Sequence, residues 1–133
     1  MYKKLPPRDS ALGYLVSEKM KLIKVEKVDE EFLKEVVRRI VSAVDPVKII
    51  LFGSHAYGKP RKGSDLDLLV VVKKSPLPRY KRSVPIYKAL AGILIPKDIV
   101  VYTEKEIEEW SNVPLAFITT IIRKGKVIYE KQD

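Results

Sequence analysis

The sequence predicts an α+β domain, α/β-like in its alternation of elements, built on a small mixed sheet. Three observations carry this. Residues 30–44 place Phe32, Leu33, Val36, Val37, Ile40, Val41 and Val44 at helical spacing, which is one apolar stripe. Three short runs, VKIILF (47–52), DLDLLVVV (65–72) and DIVVY (98–102), have the length and β-branched content of buried strands. The connections between them differ in kind. A short turn and loop between the first two permits antiparallel pairing, and a helix-length connection between the second and third permits a parallel crossover.

The elements follow in order. Residues 1–28 read as an N-terminal extension or arm, because Pro6-Pro7 opposes early regular structure. A short helix and a strand near 21–28 both fit it, and such an arm could pack on a partner subunit in a homo-oligomer. Residues 29–133 read as one domain. Asp29 is placed to cap the first helix and Pro46 to stop it. Gly53 ends the first strand, Ser54 can cap a short helical turn, and 58–63 is loop. Pro76 and Pro78 mark a second loop. A helix is expected at about 84–94, with Pro85 in its first turn and Ile86, Leu90, Ile93 and Leu94 facing inward. Thr103 and Glu106 form a capping box for a short helix through Trp110. Residues 113–125 read as a helix with Pro114 near its start and Gly125 at its C-cap, and 127–130 as a last edge strand.

Composition narrows the chemistry. There is no cysteine, so disulfides, zinc-thiolate sites and cysteine nucleophiles are excluded. His55 is the single histidine, which leaves no basis for most His-based metal sites. No apolar stretch reaches membrane-spanning length and the N-terminus lacks a signal-peptide core, so a soluble cytoplasmic protein without membrane contact is expected. The formal net charge of +9 favours polyanions as partners: nucleotides, nucleic acid or an acidic protein. The cationic clusters at 59–62, 73–74 and 79–82 are also compatible with an ordinary solvated surface.

Residues 51–72, LFGSHAYGKPRKGSDLDLLVVV, pose the functional question. Gly53, Gly58 and Lys59 fit the first seven places of a P-loop, but Pro60 stands where a metal-binding Ser or Thr is required. Proline has neither hydroxyl nor N–H, and a strand follows where a P-loop opens into a long helix. The P-loop reading fails.

Asp65 and Asp67 carry the alternative. Aspartate is depleted within strands, and at i and i+2 the two project to the same face. Side by side they repel unless a cation compensates, and hard oxygen donors suit Mg²⁺ or Mn²⁺. A bare D-x-D is as readily a solvated strand start. Two further features add weight. Gly53 and Ser54 close the preceding strand, where Gly lets backbone approach a phosphate and Ser offers a hydroxyl and an N–H. Asp98 opens the third strand, which a parallel crossover would bring to the same sheet end. Three carboxylates beside a phosphate cradle are what two-metal phosphoryl transfer needs.

Gly53-Ser54, ten residues, then Asp65-x-Asp67 resembles the G-S-x10-D-x-D signature of the DNA polymerase beta-like nucleotidyltransferase superfamily, most closely its small prokaryotic members, the minimal nucleotidyltransferase (MNT) proteins. The resemblance implies that superfamily's fold, with helices packed mainly on one face of the sheet. It implies that Asp65 and Asp67 ligate two Mg²⁺ (or Mn²⁺) ions and the nucleoside triphosphate. Asp98 would ligate the catalytic ion and help deprotonate the acceptor, and Gly53 and Ser54 would hold the β- and γ-phosphates. It implies ATP as donor and a HEPN-type toxin as partner, with the MNT protein as antitoxin. Many relatives carry an arginine where this chain has Tyr57; Lys59, Arg61 and Lys62 are candidates to supply that charge. Two other functions are compatible with the sequence: an antitoxin that neutralises by occlusion alone, and a transferase acting on RNA or a small molecule.

Overall fold

A computed structural model of the chain describes residues 22–25, 27–61, 63–110, 113 and 117–132. Its contacts divide the chain into two compact units, Ala91–Leu94 belonging with the N-terminal segment and Lys27–Leu90 with Ile95–Asp133. In the first unit, β1 (Ile23–Lys24) pairs in parallel with β4 (Ile93–Leu94). The earlier part of the N-terminal arm, including its expected short helix, lies outside the described residues.

The larger unit holds the remaining elements. Helix α1 spans Glu30–Val44, as its stripe requires. Asp29 Oδ1 accepts from the Phe32 amide at 2.9 Å, which satisfies one orphan donor of the first turn. Asp45 ends the helix in the left-handed conformation, and Leu33, Val36 and Ile40 are buried. Next come β2 (Lys48–Phe52), the helical turn α2 (Ser54–Tyr57) and β3 (Leu66–Val72). Two short helices follow, α3 (Arg79–Arg82) and α4 (Val84–Ala89). Then come β5 (Lys97–Thr103), α5 (Glu104–Trp110), α6 (Phe117–Lys124) and β6 (Lys126–Glu130).

The sheet is mixed, in the order β5-β3-β2-β6. β2 runs antiparallel to both β3 and β6, while β3 and β5 are parallel across the helical connection. Strand alternation gives the sheet two apolar faces. One carries Ile50, Phe52, Leu69 and Val71 and packs against Ile118 and Ile121 of α6, with Tyr102 and Ile107 at the margin. On the other, Ile49, Leu51, Leu68, Val70, Ile99 and Val101 are equally buried. Leu33, Val36 and Ile40 of α1, Ile86 of α4 and Leu90 are buried as well. Among the described residues no helix is long and apolar enough to cross a membrane.

The expected helix at 84–94 is corrected. It ends at Ala89, with Pro85 in its first turn as expected. Gly92 then turns the chain at φ 92°, and Ile93–Leu94 form a strand. Ile86, Leu90 and Ile93 are buried, but Leu94 is 54% exposed. The RYKR cluster, expected only as surface charge, is a helical turn. Of the expected 113–125 helix, 117–124 is helical and residues 114–116 lie outside the described set.

Candidate active site

The site is assembled at one end of the sheet by pairing register. Phe52, the last residue of β2, lies opposite Asp67 of β3. Asp67 in turn lies beside Asp98 in the parallel ladder with β5. Asp65 sits just before β3, exposed, and Asp98 is exposed as well, while Asp67 is half-buried.

Gly53 closes β2 with φ 76° and ψ −157°, backbone that essentially only glycine adopts. The same position explains a second constraint. A Cβ built on Gly53 would strike the Asp67 carboxylate, whose Cγ would lie only 3.1 Å from it. The carboxylate therefore rests directly against the Gly53 backbone. The next turn begins at Ser54, and Gly53, not Ser54, occupies the cap position. The Gly53 carbonyl accepts from the Ala56 and Tyr57 amides, at 3.0 and 3.1 Å.

The loop to Asp65 is held at its far end. Ser64 Oγ accepts from the Arg61 amide at 2.7 Å, and the Ser64 amide donates to the Arg61 carbonyl at 2.9 Å. His55 Nε2 donates to the Ser64 carbonyl at 3.3 Å, tying the turn after β2 to the residue before Asp65. The sequence alone marks His55 only as the single histidine; the structure places it as a brace for the aspartate loop. Tyr57 is 49% exposed, and Lys59 and Arg61 are exposed on the same loop. Lys62 lies outside the described residues.

The electrostatics follow from this crowding. Burial pushes the Asp67 carboxyl above the usual carboxylate range, and the negative charges of Asp65 and Asp98 push it further, partly offset by His55. Like charge outweighs compensation here, a balance that a bound cation would reverse. Three carboxylates are hard oxygen donors of the kind Mg²⁺ and Mn²⁺ take. Among the described residues no three such side chains converge closely enough to form a metal cluster as they stand. The donor chemistry and the uncompensated charge nonetheless fit a divalent cation. Lys97, next to Asp98, has its ammonium lowered by burial.

A set of aromatic residues on the same face was not legible as part of a site. Phe117 meets Phe52 edge-on at 5.6 Å between ring centroids. The guanidinium of Arg79 lies 4.5 Å from the centroid of the Tyr102 ring. The available signal was the alternation of β5, which places Tyr102 on the face that Asp98 begins.

The family model for polymerase beta nucleotidyltransferases matches residues 35–133, a span that includes Gly53, Ser54, Asp65, Asp67 and Asp98. Among solved structures, the chain resembles a protein designated a nucleotidyltransferase from Sulfolobus solfataricus, at 19% identity and a TM-score of 0.55, over 80% of this chain and 93% of that one. It also matches a toxin-antitoxin structure with AMP-PNP, at 18% identity and a TM-score of 0.49, over 79% of this chain and 76% of that one. No curated protein matches the chain. The first of these likenesses is one of fold, and the family match covers most of the sequence. The chain belongs to the polymerase beta nucleotidyltransferase family.

Proposed function

We propose that the chain transfers a nucleoside monophosphate, AMP from ATP, to a hydroxyl on a partner protein, a HEPN-type toxin, and thereby acts as an antitoxin. The observation that carries the transfer reading is the alignment of Asp67 with Asp98 in register, against Gly53 and with Asp65 beside them. The choice of partner rests on the resemblance of the G-S-x10-D-x-D motif to the MNT proteins. The activity is assigned to residues 29–133, with 1–28 as an added arm.

Each residue has a task. Gly53 lets the end of β2 approach the triphosphate without a side chain in the way. Ser54 offers its hydroxyl and amide to the β- and γ-phosphates. Asp65, Asp67 and Asp98 would hold two Mg²⁺ ions, which when bound neutralise charge on the attacking and leaving oxygens. Asp98, exposed at the strand end, takes the proton of the acceptor hydroxyl on its carboxylate. The acceptor oxygen then bonds to the α-phosphorus, the bond from that phosphorus to the bridging oxygen breaks, and pyrophosphate leaves.

The test uses ATP labelled at the α-phosphate, Mg²⁺ and the protein encoded beside this one. Label should pass to that protein with wild type and fall at least ~100-fold with Asp65→Asn, since losing a metal-binding carboxylate removes several kcal/mol of transition-state stabilisation. An unlabelled partner that is nonetheless neutralised by wild type and by Asp65→Asn alike would establish occlusion instead.

A further inference from the structure

A cavity of about 200 Å³ is lined by Arg79, Tyr102, Trp110, Phe117 and Ile118. We propose that it receives the nucleobase of the donor nucleotide, a subsite that no motif in the sequence marks. The inference rests on the nucleotidyltransferase reading above and adds to it the place where the base is held.

Position is the first argument. Phe117 touches Phe52, the register partner of Asp67, so one wall of the cavity adjoins the carboxylates. Tyr102 shares a face of β5 with Asp98, four residues on, or roughly 13 Å along the strand. The cavity thus extends along the carboxylate face, away from the reacting end. An acceptor side chain need only bring its hydroxyl to the α-phosphate, and the cavity lies beyond that point along the strand. A base joined to that phosphate through ribose is a group that must sit some way off.

Chemistry is the second. Trp110 and Phe117 remain 44% and 55% exposed, costly for large aromatics that serve only packing. Tyr102 carries the Arg79 guanidinium on its ring, and the Arg79 head also lies 3.9 Å from Glu106. Aromatic faces and an arginine plane are the surfaces on which bases stack, and they tolerate any base. Size is the third. The volume falls below the ~300–1,000 Å³ of a pocket for a whole drug-sized ligand, and suits one ring system more than a peptide or an RNA strand.

Trp110 is the only tryptophan in the chain, so the cavity carries its own reporter. The full-length protein is titrated in Mg²⁺ with ATP and, separately, with inorganic tripolyphosphate, following Trp110 emission and binding heat. ATP should change the emission. Tripolyphosphate should leave it unchanged while competing with ATP. Phe117→Ala should weaken ATP by roughly 5- to 100-fold, the range for losing one stacking partner, and leave tripolyphosphate affinity intact. Phe117→Leu, which keeps apolar packing on Phe52, should weaken ATP in the same direction. Equal emission changes with both ligands, or ATP affinity unaltered in both variants, would overturn the assignment while leaving the triphosphate site standing. Emission that responds only to the partner protein would give the cavity to the acceptor and overturn it too. Binding of neither ligand would remove the nucleotidyltransferase reading itself, and this one with it.

Discussion

Gly53→Ala tests whether the junction of β2 and the aspartates is built as described. Two costs add. The backbone at φ 76° and ψ −157° is strained for any residue with a Cβ, by about 1–3 kcal/mol. The new methyl also overlaps the Asp67 carboxylate, and relieving such overlap in a packed setting costs about 1–3 kcal/mol more. Against a stability of about 5–15 kcal/mol, a loss of roughly 2–6 kcal/mol is large. In urea it should lower the unfolding midpoint by roughly 1–3 M at a slope of about 2 kcal/mol/M, usual for a small domain. The two costs separate in a double-mutant cycle. In an Asp67→Ala background the carboxylate is gone, so Gly53→Ala should cost only the backbone part. A Gly53→Ala protein within about 0.5 kcal/mol of wild type would refute the conformational argument. An undiminished cost in the Asp67→Ala background would refute the contact.

Three other outcomes follow from the same structure. Glu106 binds Arg82 at 2.7 Å, with the Arg82 side chain 10% exposed, and the Arg82 hydrogen bond holds the Glu106 carboxyl below its usual value. A depressed carboxyl stabilises above the unfolded value near 4.5 and loses that contribution as pH falls through the folded one. Glu106→Gln should therefore cost about 1–3 kcal/mol at pH 7, and the gap to wild type should narrow below about pH 4.5 in urea titrations at several pH values. Asp29→Ala removes the cap of α1 and should cost about 1 kcal/mol by the same assay, with the transferase rate unchanged. Asp67→Asn relieves like-charge crowding and should leave the metal-free protein as stable as wild type or firmer, by less than about 1 kcal/mol, while abolishing transfer; a clear loss of stability would mean that Asp67 is a structural residue.

What could be read from the sequence was what is local. Asp29 caps α1 as its position required, and Thr103 and Glu106 exchange both bonds of the capping box, at 3.2 and 2.9 Å. Each signal acts within four residues, so no tertiary knowledge was needed. The approach of Asp98 to Asp67 was also legible, because a crossover of that length leaves a parallel pairing as the simple outcome. The 84–94 helix was misjudged for a physical reason. Leu90, Ile93 and Leu94 continue a helical stripe, but Gly92 takes a positive φ and Ile93–Leu94 find a strand partner in Ile23–Lys24. That pairing is non-local and outweighs propensity. The aromatic cavity was illegible because Phe117 and Trp110 belong to separate helices and meet Tyr102 only when α5 and α6 close over the sheet.

Register ties the site and the cavity into one unit. On β3, Leu66, Leu68 and Val70 are buried on the face opposite Asp67; on β5, Ile99 and Val101 are buried opposite Asp98 and Tyr102. A slip of one residue in either strand would exchange its two faces and carry a carboxylate to the face where Leu66, Leu68, Ile99 and Val101 are now buried. Transferring an ionised carboxylate into that core costs far more than any contact the slipped strand could gain. The apolar residues that touch neither nucleotide nor metal are therefore what hold Asp67 and Asp98 side by side and set Tyr102 at a fixed distance beyond them. Substitutions at Leu68 or Ile99 should consequently act on transfer through the positions of the aspartates, without contributing a group of their own to the chemistry.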